Sequence, residues 1–368
     1  MFHSTGLCLR AVCHKHQGSV KNSAEMRKAM KLKKLAAMAL AAVMMMSMTA
    51  CGGNDNGGSS SSTSTSNSDS GDGKTYKIGI CQLVQHDALD AATKGFKEAL
   101  TEKLGDKVSF DEQNAQGDSP TCATIVNSFV SGGVDLILAN ATAPLQAAVA
   151  GTTDIPILGT SVTDYGTALD IKDWKGTTGI NVSGTSDLAP LDEQAAMIKE
   201  LFPDAKKVGL FYCSAEANSL YQVETIKTYL EKDGYTCENY SFVDSNDIAS
   251  VIANAAKNSE VIYIPTDNTA ASNTEVIKNT CVPAKVPVVV GEQGICKGCG
   301  VATLSISYYD IGYTTGEMAY DVLVNGKDVS TMEVKFAPKV TKQYNEGICK
   351  EMNIQIPDGY EKINMEDE

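Results

Sequence analysis

From Ile78 to Val290, short runs rich in Val, Ile and Leu alternate with stretches whose apolar residues recur every three or four positions. This alternation constrains the fold more than any other feature, because strands joined through helices lie parallel and are covered on both faces. A first series reads as strands Ile78–Val84, Val108–Asn114, Leu136–Ala139 and Ile155–Gly159, separated by helices Ala88–Lys103, Cys122–Ser131 and Leu145–Ala150. A second opens with helix Ala189–Phe202. It continues with strands Val208–Tyr212, Thr236–Val243, Val261–Ile264 and Val286–Val290, separated by helices Leu220–Asp233, Ile248–Lys257 and Ala270–Thr280. The two series begin alike, on Lys77-Ile78-Gly79-Ile80 and Lys207-Val208-Gly209-Leu210, each followed by a helix start. The repeated frame predicts an α/β protein of two similar doubly wound parallel-sheet lobes, with a ligand cleft and a hinge between them. A helix over Tyr309–Asn325 and strands near Val334 and Val340 follow, so the chain is expected to return to lobe one and then lobe two. The lobes are thus drawn as 75–187 plus 305–328, and 188–304 plus 329–362.

The start of the chain has a different character. Lys31, Lys33 and Lys34 lead an apolar run from Leu35 to Met48, and Thr49-Ala50 precede Cys51-Gly52-Gly53. A charged start, a short apolar core and small residues make a secretory signal, too short to span a bilayer comfortably. The pattern resembles the lipobox of bacterial lipoproteins. Residues 1–50 are therefore read as a signal peptide and Cys51 as a lipidated, palmitate-bearing first residue. That places the protein outside the cytoplasm, anchored to the outer face of the cytoplasmic membrane. An ordinary secretory signal followed by a chance cysteine is the competing reading. Residues 51–74 are Gly, Ser, Asn and Asp with almost nothing apolar, the composition of a flexible tether.

From Cys51 onward the chain has 23 lysines, no arginine and 44 acidic residues, a net charge near −21. Such a surface disfavours nucleic acid and anionic lipid. Without arginine there is no bidentate guanidinium clamp, so an anionic ligand group must be met by backbone N–H, hydroxyls, amides or Lys. His86 is the one histidine in this stretch, which nearly removes Ser-His-Asp catalysis and multi-histidine metal sites. No phosphate-binding, dinucleotide-binding or nucleophile-elbow motif occurs, so neither an enzyme nor a cofactor is expected.

Six stretches carry a specific likeness. They are Gln82 to Ala92 (QLVQHDALDAA), Ala139 to Ala148 (ANATAPLQAA), Thr160-Ser161-Val162-Thr163-Asp164, Asn181-Val182-Ser183-Gly184, Ala215-Glu216-Ala217-Asn218-Ser219 and Pro265-Thr266-Asp267-Asn268. In this order they resemble the ABC-transporter substrate-binding family related to tryptophan and tyrosine uptake, over Tyr76 to Tyr360. The resemblance implies a type I periplasmic-binding-protein fold with three hinge crossings, and a small solute, an amino acid and an aromatic one, bound in the cleft. It also implies a monomer that works with an ABC permease in the membrane. A sugar or nucleoside on the same fold is the alternative, and a thiol-redox or metal-handling lipoprotein a more distant one.

The cleft can be read from the residues as well, since loops after the carboxyl ends of parallel strands form the ligand crevice. In lobe one these loops hold Gln85 and His86, then Asn140 and Thr142, then Ser161, Asp164 and Tyr165. In lobe two they hold Glu216, Asn218 and Ser219, then Asp267 and Asn268, then Glu292. Helix starts at Thr142–Pro144 and Asn218-Ser219 are candidates for a ligand carboxylate; Asp267, Asp164 or Glu292 could pair with an ammonium. Helix capping competes at Thr142, Asn218 and Ser219, and turn chemistry at Asp164 and Asp267. Tyr165 either reshapes the pocket or stacks on an aromatic ligand. Cys296-Lys297-Gly298-Cys299 is flanked by glycines, unlike a redox pair at a helix start after a strand, and reads as a loop disulfide or free thiols beside the site.

Overall fold

The computed structural model describes residues Lys74–Met365. The signal and the lipidated Cys51 lie outside these residues. Two sheets form the frame. Among the described residues the first has six strands and the second seven.

In the first sheet β1 (Tyr76–Gln82) pairs in parallel with β2 (Val108–Asn114) and β3 (Leu136–Asn140). Then follow β4 (Ile157–Val162), β5 (Val182–Ser186) and β11 (Lys335–Phe336). In the second, β6 (Lys207–Cys213) lies between β7 (Thr236–Phe242) and β8 (Val261–Ile264). Next come β9 (Val288–Val290), β10 (Ala302–Ser305), β12 (Thr341–Tyr344) and β13 (Glu361–Lys362), and only β10 with β12 is antiparallel. The inner strands are wholly buried, as strands covered by helices on both faces must be.

Helices cover the sheets by their apolar stripes. On the Asp87–Leu104 helix, Leu89, Ala92, Phe96 and Leu100 recur at helical spacing and are buried. Asp87 and Asp90 in its first turn and Lys103 in its last complement the helix dipole. It packs against the Tyr308–Leu323 helix of the return segment, where glycines bring two backbones together: a Cβ on Gly312 would sit 2.0 Å from the Ala92 carbonyl oxygen.

The chain passes between the sheets after β5, after β10 and after β11. Residues of all three passages meet in one apolar cluster. Ala189, Ile306 and Tyr308 are buried there with Ala88, Ala92 and Ile311, and Ala337 and Val340 pack against it.

The structure departs from the sequence reading in several places. β5 and β10 were not anticipated, because Val182-Ser183-Gly184-Thr185-Ser186 and Ala302-Thr303-Leu304-Ser305 are too small and polar to signal strands, yet both are buried. The helix expected over Ala270–Thr280 is two helices, Asn268–Ala271 and Thr274–Ala284, with Asn273 as the N-cap residue of the second. The strand near Val334 falls at Lys335–Phe336 and pairs with β5, so this piece of the segment drawn into lobe two belongs to the first sheet. The glycine-flanked cysteine pair lies on and just after a short helix, Gln293–Gly298, where a loop was expected.

Candidate functional site

Two non-glycine residues near strand ends have positive φ: Ser161, next to last in β4, at 54°, and Ala141, directly after β3, at 104°. Non-glycine residues held at positive φ cost free energy and concentrate at functional sites. Both lie at carboxyl ends of strands in lobe one. Ala141 precedes the Thr142–Gly151 helix, which has no side-chain cap, and the Ala217–Lys232 helix opposite likewise lacks one. Thr142, Ala143, Glu216, Ala217 and Asn218 line one cavity of 280 Å³ between the lobes, with Leu83, Val84 and Val243 as apolar wall. Thr142 is the first helical residue and Asn218 the second, so neither serves as the N-cap.

Beside it is a much smaller space of 10 Å³ lined by His86, Ser161, Asp187, Asp267, Glu292 and Tyr308. Asn218 and Asn268 line both spaces. His86 Nε2 lies 3.2 Å from Asn268 Oδ1 and so joins the lobes. Because Asn268 Nδ2 donates to Glu216 Oε2 (2.7 Å), its Oδ1 is the free acceptor, and the His86 proton sits on Nε2. His86 Nδ1 is then an acceptor, and it has no partner. Ser161 Oγ and Asp187 Oδ1 are also buried without a hydrogen-bond partner. Asp187 Oδ2 accepts from the Tyr308 hydroxyl at 2.9 Å, which ties the first passage between the lobes to the second.

The electrostatics of this space are those of crowded acids. Burial, only partly offset by the Tyr308 and Thr163 hydroxyls, raises Asp187 above the usual carboxylate range. Burial pushes Glu292 up to about 7, against the backbone N–H groups of Ile295 and Gly294, with Asp87 and Asp187 adding to the rise. Asp267 is also pushed up to about 7, by burial first and then by the Glu216 charge. Burial lowers His86, which keeps the imidazole neutral, against its bond to Asn268 and the charges of Glu216, Asp90 and Asp87.

Several residues singled out in the sequence have structural duties. Asp267 Oδ2 accepts from Cys213 N (2.6 Å) and Ser219 Oγ (2.7 Å), and Oδ1 from Ala270 N (2.8 Å). It caps the Asn268–Ala271 helix and has little acceptor capacity left for an ammonium. Ser219 is spent on that bond. Glu216 accepts from the backbone and side chains of Asn268 and Thr269, welding two loops of lobe two. Asp164 lines neither cavity and caps the Tyr165–Ala168 helix through Thr167 N.

Tyr165 is fully buried, donates to the Thr185 carbonyl (3.1 Å) and stacks on Trp174 at 6.1 Å. It fills the space over Gly159 and Gly184 and lines neither cavity. Asn140 turns into the core, donating to the Leu89 carbonyl and Thr93 Oγ1. Gln85 is exposed and borders an outer groove of lobe one. Glu292 does border the small space, while capping the Gln293–Gly298 helix through Gly294 N and Ile295 N.

Asp187 and Tyr308 were missed by the sequence reading. The signal for Asp187 was the strand-end rule, but it follows β5, the strand too small and polar to recognise.

Cys296 and Cys299 are free, fully buried thiols, and burial raises both well above the ordinary thiol value. A redox pair needs the opposite shift, so their place on a helix after a strand does not activate them. Among the described residues no group of three or more His, Cys, Asp or Glu is arranged to hold a metal.

The family model described as ABC transporter substrate binding protein matches residues 77–366. A tyrosine-binding protein of Clostridioides difficile is 38% identical over 288 residues, 77% of this chain and 83% of that one. Among solved structures, an ABC domain in complex with L-Trp from Streptococcus pneumoniae aligns at 32% identity and TM-score 0.75. It covers 79% of this chain and all of its own. The ligand-free, open structure of a Clostridium difficile substrate binding protein with adhesive properties is 36% identical over 79% of this chain and all of its own. Its TM-score is lower, 0.61.

Proposed function

This chain belongs to the ABC transporter substrate-binding protein family, and from that premise we propose that it captures an aromatic amino acid between its lobes and hands it to the membrane permease of an ABC importer. The observation that carries the reading is a cluster of unpartnered polar atoms around the small space in the cleft. Three buried atoms there lack partners, and each can accept a hydrogen bond: Asp187 Oδ1, His86 Nδ1 and Ser161 Oγ. An ammonium brings three donors and a positive charge into a space walled by Asp187, Glu292 and Asp267. The ligand carboxylate then faces the uncapped starts of the Thr142–Gly151 and Ala217–Lys232 helices, whose first N–H groups are unspent by side chains. Leu83, Val84 and Val243 supply the apolar wall for a side chain. The aromatic choice is supported by the relatives that bind tyrosine and L-Trp.

Calorimetry with L-tryptophan, L-tyrosine and L-phenylalanine tests this. At least one is expected to bind the purified protein tightly, and failure of all three at millimolar concentration rejects the aromatic assignment. The pH dependence has a definite sign. Glu292 stands near 7 without ligand, and an arriving ammonium lowers it, so binding releases protons around neutrality and affinity weakens as pH falls below about 7. The ligand-free protein behaves in the opposite sense. Its folded state keeps a proton that the unfolded chain has released, so stability declines as pH rises from about 4.5 to about 7.

The reading includes an anchor. Membrane attachment through a lipid on Cys51 is supported by the sequence Thr49-Ala50-Cys51-Gly52 after an apolar run. Replacing Cys51 with Ala is expected to abolish lipid labelling and move the protein out of the membrane fraction; unchanged labelling removes the anchor from the proposal.

A further inference from the structure

Inside lobe one, away from the cleft, two cysteine side chains meet. Cys81 lies on β1 and Cys122 in the first turn of the Ser119–Gly132 helix, which packs on that strand. The approach is close: a Cβ on Gly79 would sit 2.6 Å from the Phe129 ring, so the helix lies down on β1 only because Gly79 has no side chain. Cys81, two residues on, shares the sheet face of Gly79. Cys122, two turns back from Phe129, shares its helix face, on a helix that runs against the parallel strands β1, β2 and β3. Strand and helix thus bring the two thiols together, and both are fully buried in the cluster that holds Leu83, Ala115 and Leu145. The thiols share a hydrogen bond, and Cys122 Sγ donates onward to the Asp118 carbonyl at 3.7 Å. The pair is asymmetric. Cys81, the donor, is raised, whereas the bond that Cys122 receives lowers its thiol against the effect of burial. Among the described residues the other cysteines are all shifted upward. Cys122 also stands at a helix start, where a thiolate is favoured, and exposed residues 116–120 lead into that turn, so its fraying uncovers the sulfur.

We propose that Cys81 and Cys122 form a disulfide site within lobe one, oxidised by an external disulfide of the glutathione type. The Cys122 thiolate attacks the external disulfide, which forms a mixed disulfide on Cys122 and releases one thiolate. The Cys81 thiolate then attacks Cys122 Sγ and expels the second. The two protons that leave the protein thiols end on the two released ones, and two electrons pass from the protein to the oxidant. One S–S bond breaks and one forms. The new bond closes the chain from β1 through the Ser119–Gly132 helix start into a loop, which removes freedom from the unfolded chain. Leu83 and Val84, directly after β1, and Gln116, Gly117 and Ser119, just before Cys122, line the 280 Å³ cavity, so the staple lies behind that wall and fixes its two sides to each other. A secreted chain meets such oxidants outside the cytoplasm. The chemistry is independent of which solute the cleft holds.

Peptide mapping after blocking of free thiols decides the matter, on two preparations: folded protein held in oxidised glutathione, and reduced, unfolded protein refolded in the same buffer. The second gives the oxidant access to both sulfurs whatever the folded core allows. A peptide joining Cys81 to Cys122 is expected in at least the refolded sample. Its formation should raise the thermal midpoint over the reduced protein by roughly 4–16 °C, the shift for a typical native disulfide in a chain of this size. Cys81→Ala and Cys122→Ala should each remove the linked peptide and make the midpoint indifferent to the oxidant. Cys81 and Cys122 recovered as free thiols from both preparations overturn the proposal, as does either one joined to a different cysteine. A Cys81–Cys122 link that leaves the midpoint unchanged or lowers it overturns it as well, since the bond is then forced on the core.

Discussion

Asp187→Asn is expected to lower affinity for the bound amino acid by roughly 10- to 150-fold while leaving the protein as stable as before, or more so. The substitution keeps the shape and can still accept from the Tyr308 hydroxyl, which holds Asp187 Oδ2 at 2.9 Å. What it removes is the charge and the second open acceptor, Oδ1. A hydrogen bond to a charged group is worth roughly 1.5–3 kcal/mol, and about 1.4 kcal/mol is tenfold in affinity. Stability should not follow affinity downward, because burial raises Asp187 and so penalises its ionised form in the ligand-free protein. Asp164→Asn is the comparison variant. Asp164 caps the Tyr165–Ala168 helix and lines neither cavity, so affinity should stay within about twofold. Titration calorimetry and thermal unfolding of the two variants at pH 7.5 check this; equal affinity in Asp187→Asn and the wild type removes Asp187 as the ammonium partner.

The contrast between Asp187 and Asp267 shows what a sequence can and cannot say about such a cleft. Both follow strand ends, and the rule that ligands gather there points to both equally. Asp267 follows Val261–Ile264, an apolar run that announces itself. Asp187 follows Val182-Ser183-Gly184-Thr185-Ser186, whose strand exists for reasons of packing: Thr185 bonds to Thr160 and Thr315, Tyr165 donates to its carbonyl, and Gly184 lies against Gly159. None of those partners is near in sequence. The same distance hides Tyr308, which reaches the site only because the chain returns to lobe one after β10.

The doubly wound plan was legible, since period and residue type decide it locally. His86, Ser161, Asn218, Asn268 and Glu292, read as residues of cleft loops, line the small space, although Ser161 lies within β4 and Asn218 and Asn268 in the first turns of helices. Which of the carboxylates would be spent on backbone N–H groups was not legible. Asp267 and Glu216 are consumed by neighbours that the sequence shows, but only the folded geometry brings Cys213 N and Ser219 Oγ onto the same oxygen of Asp267.

Gly312→Val is expected to destabilise the protein by about 3 kcal/mol or more and to weaken ligand binding as well, the largest effect on the fold foreseen here. A Cβ at Gly312 would lie 2.0 Å from the Ala92 carbonyl oxygen and 2.7 Å from its carbon, and one at Gly95 would lie 2.2 Å from the Tyr309 carbonyl oxygen. The obstacle is backbone on both sides, which cannot rotate away as a side-chain end does. The Asp87–Leu104 and Tyr308–Leu323 helices must separate, uncovering Phe96, Leu100, Met318 and Ala319 and straining the Tyr309–Glu98 and Tyr313–Glu102 hydrogen bonds. Overpacking of a filled core typically costs about 1–3 kcal/mol and more where nothing can yield. At about 2–4 °C per kcal/mol for chains of this size, the midpoint should fall by roughly 6–12 °C. Binding follows because Tyr308 opens the displaced helix and holds Asp187. Gly347→Ala supplies the contrast: its Cβ would meet only Asn345 Oδ1 at 3.4 Å, inside the Glu346–Met352 helix, where Ala is favoured over Gly by roughly 0.5–1 kcal/mol. Scanning calorimetry should therefore place Gly312→Val far below the wild type and Gly347→Ala level with it or above; equal midpoints for all three would mean that the two helices do not meet backbone to backbone.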